Sequence, residues 1–174
     1  PVEATGDQAY WENPMELSGK TLNIIKKYQN GTGQFKDREN DGYSFVKRHC
    51  MHCVDPACVS ACPASAMTKD SKTGGVLYNK NACIGCRYCQ VACPFNIPKF
   101  EWDDPFPKIV KCQLCSHLTA EGGIPACCDI CPTGASLFGS VDALLAEAKR
   151  RQGMVPGKYY EFPVSSLASG DVQV

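Results

Sequence analysis

The sequence has 174 residues, of which 44% are hydrophobic, so it can form one compact domain or two small lobes. Eighteen basic and eighteen acidic residues give a formal net charge of zero, which argues against nucleic acid as a binding partner. No apolar stretch approaches the roughly 18 residues needed to span a bilayer, and no signal peptide is visible.

The region before the first cysteine is predicted to form an N-terminal arm and two strands. Residues 1–20 are polar and contain Pro and Gly, which favours an extended arm. Because the chain begins at Pro1, we expect it to be a piece of a longer protein. The β-branched pair in TLNIIKKYQN (21–30) favours a strand over a helix. YSFVKRHC (43–50) alternates as a strand does, and the charged segment QFKDRENDG (34–42) is predicted to be a loop.

Thirteen cysteines determine the class of protein. They form three groups: Cys50, Cys53, Cys58 and Cys62; Cys83, Cys86, Cys89 and Cys93; and Cys112, Cys115, Cys127, Cys128 and Cys131. The count is odd and each group contains a Cys-x-x-Cys pair, so a disulfide framework is not expected. Ligation of metal by thiolates explains the density of cysteines better.

The second group, CIGCRYCQVACP (83–94), has the spacing that a [4Fe-4S] cluster requires. Three thiolates two residues apart can cap one face of a cluster, and a fourth cysteine follows directly before a proline. In runs of the form C-x2-C-x2-C-x3-C-P, the last cysteine binds the other cluster of a pair. The first group, CMHCVDPACVSACP (50–63), repeats the arrangement with a longer middle spacer. The proline donates no N–H and turns the chain away after the exchanged ligand.

We therefore predict two [4Fe-4S] clusters with exchanged ligands. The predicted ligands are Cys50, Cys53, Cys58 and Cys93 for the first cluster, and Cys83, Cys86, Cys89 and Cys62 for the second. This exchange would hold two one-electron centres at a short fixed separation, as electron transfer requires. Structural zinc is the alternative, but a zinc site needs only two Cys-x-x-Cys pairs and no third cysteine at the same spacing.

The third group allows two interpretations. Cys112 and Cys115 form a pair, and Cys127 precedes Cys131 by the same three-residue spacer that ends the other groups. These four cysteines could bind a third [4Fe-4S] cluster or a zinc ion. In this register Cys128 is the extra thiol, either a small buried apolar residue or a spare near the cluster.

The remaining predicted elements are a β-hairpin, a later strand that repeats part of it, and a helix. Short extended runs around DSKTGG (70–75) predict a β-hairpin after the first Cys-Pro. We predict a matching strand in TGASLFGS (133–140), as part of an internal repeat of the ferredoxin type. The segment SVDALLAEAKRRQG (140–153) predicts a helix that is capped by Ser140 and has its charged side chains in solvent. The residues after this helix are predicted to form an extended tail that wraps a partner.

The predicted fold class is α+β, with bacterial-ferredoxin-like repeats of short β-hairpins and cysteine loops around [4Fe-4S] clusters, plus one C-terminal-side helix. The predicted domains are 1–49 (arm and strands), 50–111 (two-cluster ferredoxin-like domain), 112–140 (third cysteine group, closing a second lobe) and 141–174 (helix and extended tail).

Alternatives stay open for several other residues. His52 could donate a hydrogen bond that raises a cluster potential or could simply pack in its loop, whereas His49 and His117 are interpreted as structural. Lys108 and Lys111 could screen cluster charge or be solvated. The aromatic residues predicted to form a dry wall between lobes are Phe95, Phe100, Trp102 and Phe106.

Together these segments resemble the ferredoxin-type subunit of respiratory membrane oxidoreductases. GYSFVKRHCMHCVDPACVSACP (42–63) and CPFNIPKFEWDDPFPKIVKCQLC (93–115) most resemble the electron-transfer subunit of periplasmic, quinone-linked nickel–iron uptake hydrogenases. The resemblance begins at about residue 20. That family has four cysteine quartets and a C-terminal membrane anchor, and this sequence contains neither the first quartet nor the anchor.

The resemblance implies a non-catalytic subunit that carries electrons between a periplasmic hydrogenase and a membrane quinone-reactive subunit. It implies a periplasmic location with membrane association through partner subunits. The third group would then either close on itself, which we favour, or lack ligands from the upstream quartet. A molybdenum oxidoreductase of the formate dehydrogenase or sulfur-compound reductase type is the alternative client. Two other classes of protein stay open. One is an enzyme whose cluster has an open iron, and the other is an interaction module stabilised by zinc.

Overall fold

The structure, a computed structural model of the chain, describes residues 16–36, 38 and 40–154. Most of the predicted arm and tail lies outside the described residues. The strands within them are β1 (Ile24–Asn30), β2 (Gly42–Arg48), β3 (Met67–Lys69), β4 (Val76–Tyr78), β5 (Lys99–Phe100) and β6 (Ile109–Val110). The helices within them are α1 (Ala57–Ser60), α2 (Tyr88–Ala92), α3 (Ser116–Ala120), α4 (Ala126–Asp129) and α5 (Val141–Met154). These short elements agree with the predicted mixture of α and β structure.

Both strands predicted before the first cysteine are confirmed, and they pair as the antiparallel hairpin β1–β2. The register runs from Ile24 opposite Arg48 to Asn30 opposite Gly42. β-branched and aromatic side chains favour this conformation because they pack well on a pleated, half-buried surface. The hairpin ends two residues before Cys50, so it delivers the chain to the first cysteine group.

The hairpin predicted around residues 70–75 is confirmed as β3–β4, with Met67 opposite Tyr78. Gly74 has a φ of 70° in the turn, a left-handed conformation that glycine adopts without a steric penalty. The carboxylate of Asp70 accepts a hydrogen bond from the hydroxyl of Thr73 across the same turn. The glycine and the Asp–Thr hydrogen bond are both properties of neighbouring residues, so the sequence was sufficient to predict this turn.

The strand predicted at 133–140 is wrong, because these residues form no strand in the structure. A strand needs a neighbour to satisfy its backbone groups, and the chain after the third Cys-Pro passes into α5 instead. Arg151 of α5 donates a hydrogen bond to the carbonyl of Gly134 at 2.9 Å. An unpredicted hairpin, β5–β6, follows the second Cys-Pro. A helix therefore supports the third Cys-Pro where hairpins follow the other two.

The predicted C-terminal-side helix is confirmed as α5. The hydroxyl of Ser140 accepts a hydrogen bond from the N–H of Ala143 at 3.3 Å, as expected of a cap. Its charged side chains are exposed or half-buried, and Glu147 accepts hydrogen bonds from Arg150 and Arg151, which lower its pKa to about 2. Across the described part of the chain, no helix has the length and apolar character to cross a bilayer.

The chain divides into two compact units, each formed by two separate segments. Among the described residues, the first unit contains the chain up to Cys50 together with Cys83–Cys112, and the second contains Met51–Ala82 together with the chain from Gln113 onward. In the first unit, the core consists of Leu17, Ile24, Cys50 and Ile97. In the second unit, Ala66, Met67 and Val76 are buried. The domain boundaries expected from the sequence stay a prediction.

The dry wall of aromatic residues is wrong for three of its four members. Phe100 is buried in β5, but Phe95, Trp102 and Phe106 are 44%, 67% and 81% exposed. These three lie in turns and bends around the β5–β6 hairpin rather than in its strands.

We expect Gly42→Ala to lower the free energy of unfolding. A Cβ at this position would lie 2.5 Å from the backbone nitrogen and oxygen of Arg38, closer than real Cβ atoms approach other atoms. Displacing that backbone should cost about 1–3 kcal/mol, as overpacking does. Urea unfolding followed by circular dichroism measures the change.

Gly153→Ala is the matched control for this substitution. Its added Cβ meets no atom within 4 Å, and the residue lies in α5, where alanine is favoured over glycine. The control should therefore not be destabilised. Equal midpoints for Gly42→Ala and the unsubstituted chain would contradict the packing described.

Candidate metal centre

All thirteen cysteines lie within the described residues, and they are thiols rather than disulfides. Cys50 and Cys89 are buried, Cys86 is exposed and the other ten, including Cys128, are intermediate. Among the residues that the structure describes, no three His, Cys, Asp or Glu side chains converge as ligands of a single metal ion do.

The three cysteine groups share one backbone feature between their first and second cysteines. In each group the residue directly before the second cysteine is left-handed, and these residues are His52 (φ 47°), Gly85 (φ 75°) and Leu114 (φ 56°). Left-handed residues other than glycine are uncommon, and they persist where the surrounding structure holds them. The chain therefore turns at the same place in the first Cys-x-x-Cys pair of each group.

The groups also share the turn that follows each Cys-Pro. The second residue after the proline is left-handed in every case, and these residues are Ser65 (φ 50°), Asn96 (φ 52°) and Gly134 (φ 61°). The N–H of each donates to the carbonyl of the preceding cysteine, at 3.3, 3.1 and 3.2 Å respectively. The short helices α1, α2 and α4 lie in the C-x3-C segments just before these turns. The third group thus has the same local construction as the two full quartets.

Backbone N–H groups point at cysteine sulfur in all three groups. Cys62 Sγ accepts from the N–H of Ala66 at 3.2 Å, and Cys83 Sγ accepts from that of Gly85 at 3.4 Å. Cys131 Sγ accepts from the N–H of Ser136 at 3.5 Å. Such donors stabilise a thiolate, and in an iron–sulfur protein they help to set the reduction potential.

Within the second unit, the β3–β4 hairpin contacts His52 of the first cysteine loop and Gln113 of the third. His52 is buried, and its Nδ1 accepts a hydrogen bond from the N–H of Val76 at 2.9 Å, so Nε2 carries the ring proton. Lys69 Nζ donates to the carbonyl of His52 at 2.9 Å. The N–H of Tyr78 donates to Gln113 Oε1 at 3.2 Å. Packing of His52 is confirmed, and donation by its Nε2 to a cluster stays a prediction.

The β5–β6 hairpin holds the second cysteine loop in the first unit. Arg87, itself left-handed, places its guanidinium 5.3 Å from the ring centroid of Phe100 and 5.1 Å from that of Trp102. These are cation–π distances. Lys108 Nζ donates to the carbonyl of Cys83 at 2.6 Å. Both ends of the Cys83–Cys86 segment are therefore tied to one hairpin.

Cys50 belongs to the buried core of the first unit, and both Cys93 and Cys112 pack against that core. Cys50 and Cys93 are predicted ligands of the same cluster, and Cys93 packs against the core that contains Cys50. Their shared ligation stays a prediction. Cys112 was assigned to the third group, and its place beside the same core was not predicted. No sequence signal marks it, because the contact joins segments that are far apart in the chain.

The remaining histidines have different surroundings. A ring nitrogen of His49 lies 2.7 Å from the carbonyl oxygen of Cys50, and burial lowers the pKa of this histidine. His117 is exposed on α3. The interpretation of both as structural stays a prediction.

The lysines near the cysteine groups contact the backbone of the loops. Lys111 is only 3% exposed, and its Nζ donates to the carbonyl of Cys112 at 2.9 Å, so a solvated side chain is excluded for this residue. Sequence reasoning missed Lys69 altogether. It lies 17 residues from His52, and only the register of β3–β4 brings the two together.

The residues present fit [4Fe-4S] clusters. The donors are thiols in three repeated loops, and backbone N–H groups already point at sulfur in each group. Iron–sulfur clusters are held by such cysteine thiolates and tuned by such hydrogen bonds.

Comparison with known proteins points to the same iron–sulfur chemistry. Residues 42–141 match the family described as 4Fe-4S dicluster domain, a range that contains all thirteen cysteines. The chain is 50% identical over 170 residues to "Hydrogenase-2 operon protein HybA" of Escherichia coli O157:H7, which covers 95% of this chain and 52% of that protein. A protein of the same name from Shigella flexneri matches to the same extent.

The chain is also 35% identical over 154 residues to "Formate dehydrogenase, nitrate-inducible, iron-sulfur subunit" of Escherichia coli K12. That match covers 87% of this chain and 49% of the relative. The chain therefore spans about half the length of the curated relatives it matches. These similarities confirm the resemblance that the cysteine motifs indicated.

In the reduced, metal-free chain, we expect Cys131 to be alkylated by iodoacetamide at unusually low pH. Hydrogen bonds from the N–H of Ser136 and the hydroxyl of Thr133 lower the pKa of this thiol to about 7. Because the thiolate is the nucleophile, the rate should rise with pH and reach half its maximum at about pH 7. Mass spectrometry of the labelled peptide measures the rate.

Thr133→Val should raise this midpoint because it removes the hydroxyl donor, whereas Thr133→Ser should preserve it. An identical midpoint in both variants, in the range of an ordinary thiol, would show that the hydrogen bonds do not act on Cys131.

Proposed function

The chain belongs to the 4Fe-4S dicluster domain family, and on this premise we propose that it is a non-catalytic electron-transfer subunit containing [4Fe-4S] clusters. The repeated local construction of the three cysteine groups is the observation that carries this proposal. When bound, [4Fe-4S] clusters supply one-electron carriers. The cysteines of this chain would bind the clusters, and the hairpins that contact the cysteine loops would orient the ligands.

We propose exchanged ligation for the first two clusters. The ligand sets are Cys50, Cys53, Cys58 and Cys93 for one cluster, and Cys83, Cys86, Cys89 and Cys62 for the other. The spacing of the two runs, each ending in Cys-Pro, supports this exchange. The packing of Cys93 against the core that contains Cys50 also supports it.

We propose that the third group binds a further [4Fe-4S] cluster. Its ligands are Cys112, Cys115, Cys127 and Cys131, and Cys128 is not a ligand. The support is structural, because this group repeats the left-handed residue, the C-x3-C helix and the Cys-Pro turn of the other two. A zinc site would not require this shared construction.

We propose a hydrogenase as the source of the electrons. The chain would pass electrons from a periplasmic nickel–iron hydrogenase to a membrane quinone-reactive subunit, and would be held at the membrane through these partners. Its 50% identity to a protein named for a hydrogenase-2 operon supports this client. Its 35% identity to a formate dehydrogenase iron–sulfur subunit supports the alternative, the same role for a molybdenum oxidoreductase.

We expect the purified chain to be brown and to contain about eight to twelve irons with equal acid-labile sulfide, as four per cluster requires. Anaerobic expression followed by iron, sulfide and zinc analysis tests this. About twelve irons would support a complete third cluster, and about eight would restrict the clusters to the first two groups. A colourless protein with zinc as its metal would refute the electron-transfer function.

Exchanged ligation predicts which pairs of cysteines act on the same cluster. The double variant Cys62→Ala/Cys86→Ala should lose about four irons, because both residues bind one cluster. Cys62→Ala/Cys53→Ala should lose about eight, because the two residues bind different clusters. The control Cys128→Ala should retain the full iron content. If each loop serves its own cluster, the two double variants will show the opposite losses.

A further inference from the structure

One lysine ammonium donates a hydrogen bond to a backbone carbonyl in the Cys-x-x-Cys segment of each cysteine group. The pairs are Lys69 with His52, Lys108 with Cys83 and Lys111 with Cys112, with Nζ–O distances of 2.9, 2.6 and 2.9 Å. Lys69 ends β3, Lys108 precedes β6 and Lys111 follows β6. Because the three lysines occupy different positions relative to their cysteines, no repeated sequence motif produces the arrangement.

We propose that these three lysines set the reduction potentials of the clusters, with one lysine raising the potential of the cluster in each group. This inference rests on the proposed electron-transfer function. Reduction by one electron from a redox partner adds one negative charge to a cluster. A fixed positive charge nearby stabilises the reduced form more than the oxidised form, so it raises the potential.

The hydrogen bonds explain how the charge is held in place without being neutralised. A carbonyl oxygen carries only a partial charge, so it orients the ammonium and leaves the formal charge intact. Lys69 donates to a second carbonyl, that of Gly74, which restricts the ammonium further. Each lysine therefore acts as a positioned charge on the backbone of a ligand loop rather than as a flexible surface cation.

Burial determines how strongly each charge should act. Lys111 is 3% exposed, whereas Lys69 and Lys108 are intermediate. Charge interactions strengthen where water is excluded, because the effective dielectric constant is lower. We therefore expect the largest shift in potential from Lys111.

The competing explanation is that each lysine only stabilises its loop through the hydrogen bond. Substitution by glutamine distinguishes this explanation from an effect of the charge. Lys→Gln retains an N–H donor for the carbonyl but removes the charge, while Lys→Met removes both. Lys→Arg retains the charge. Lys72 is the matched control, because it is exposed in the turn of the same β3–β4 hairpin that carries Lys69.

The experiment is a redox titration of the whole chain with its clusters, followed by electron paramagnetic resonance, with iron analysis of every sample. The Met and Gln variants of Lys69, Lys108 and Lys111 should each lower one midpoint potential. A tenfold fall in the equilibrium constant for one-electron reduction is expected, which corresponds to about 59 mV. The Arg variants and Lys72→Met should keep the midpoints of the unsubstituted chain.

Two results would overturn the inference. Gln variants with unchanged midpoints would show that the hydrogen bond, and not the charge, is what the loop needs. Loss of iron from both the Met and the Gln variant of one lysine would show that this lysine is needed for the loop to fold and bind its cluster, and not for setting the reduction potential. Absence of iron–sulfur clusters from the unsubstituted chain is a different result, because it refutes the proposed function itself.

Discussion

The reversal of the chain between two cysteines is the constraint on which the three groups depend. Two thiols separated by two residues can face the same cluster only if the backbone turns between them. The left-handed residue before each second cysteine makes this turn. At His52 and Leu114, which carry a Cβ, the conformation costs about 1–2 kcal/mol. Tertiary contacts must offset that cost.

The hairpins supply those contacts. β3–β4 donates to both the ring and the carbonyl of His52, and it donates to the side chain of Gln113 beside Leu114. β5–β6 contacts the second loop through Arg87 and Lys108. Each hairpin is short, with strands of two or three residues, so its role is to position ligand loops rather than to form a large core. The contacts that stabilise these hairpins and loops are therefore also the contacts that position the cysteines.

Sequence reasoning succeeded where the signal is local. Turn residues such as Gly74, the alternation in β2 and the cap of α5 are properties of a few neighbouring residues, and each was predicted. It failed at 133–140 and at the exposed Trp102 and Phe106. Whether a short apolar segment pairs as a strand, or an aromatic side chain becomes buried, depends on partners elsewhere in the chain.

The sequence by itself determined the donor atoms and their spacing, because both are covalent properties of the chain. Cysteine runs ending in Cys-Pro indicated [4Fe-4S] chemistry before any contact was known. Only the tertiary structure decided which charges lie on the ligand loops. The Lys69–His52 and Lys108–Cys83 contacts join residues 17 and 25 positions apart, and they exist only because hairpin pairing brings distant backbone together.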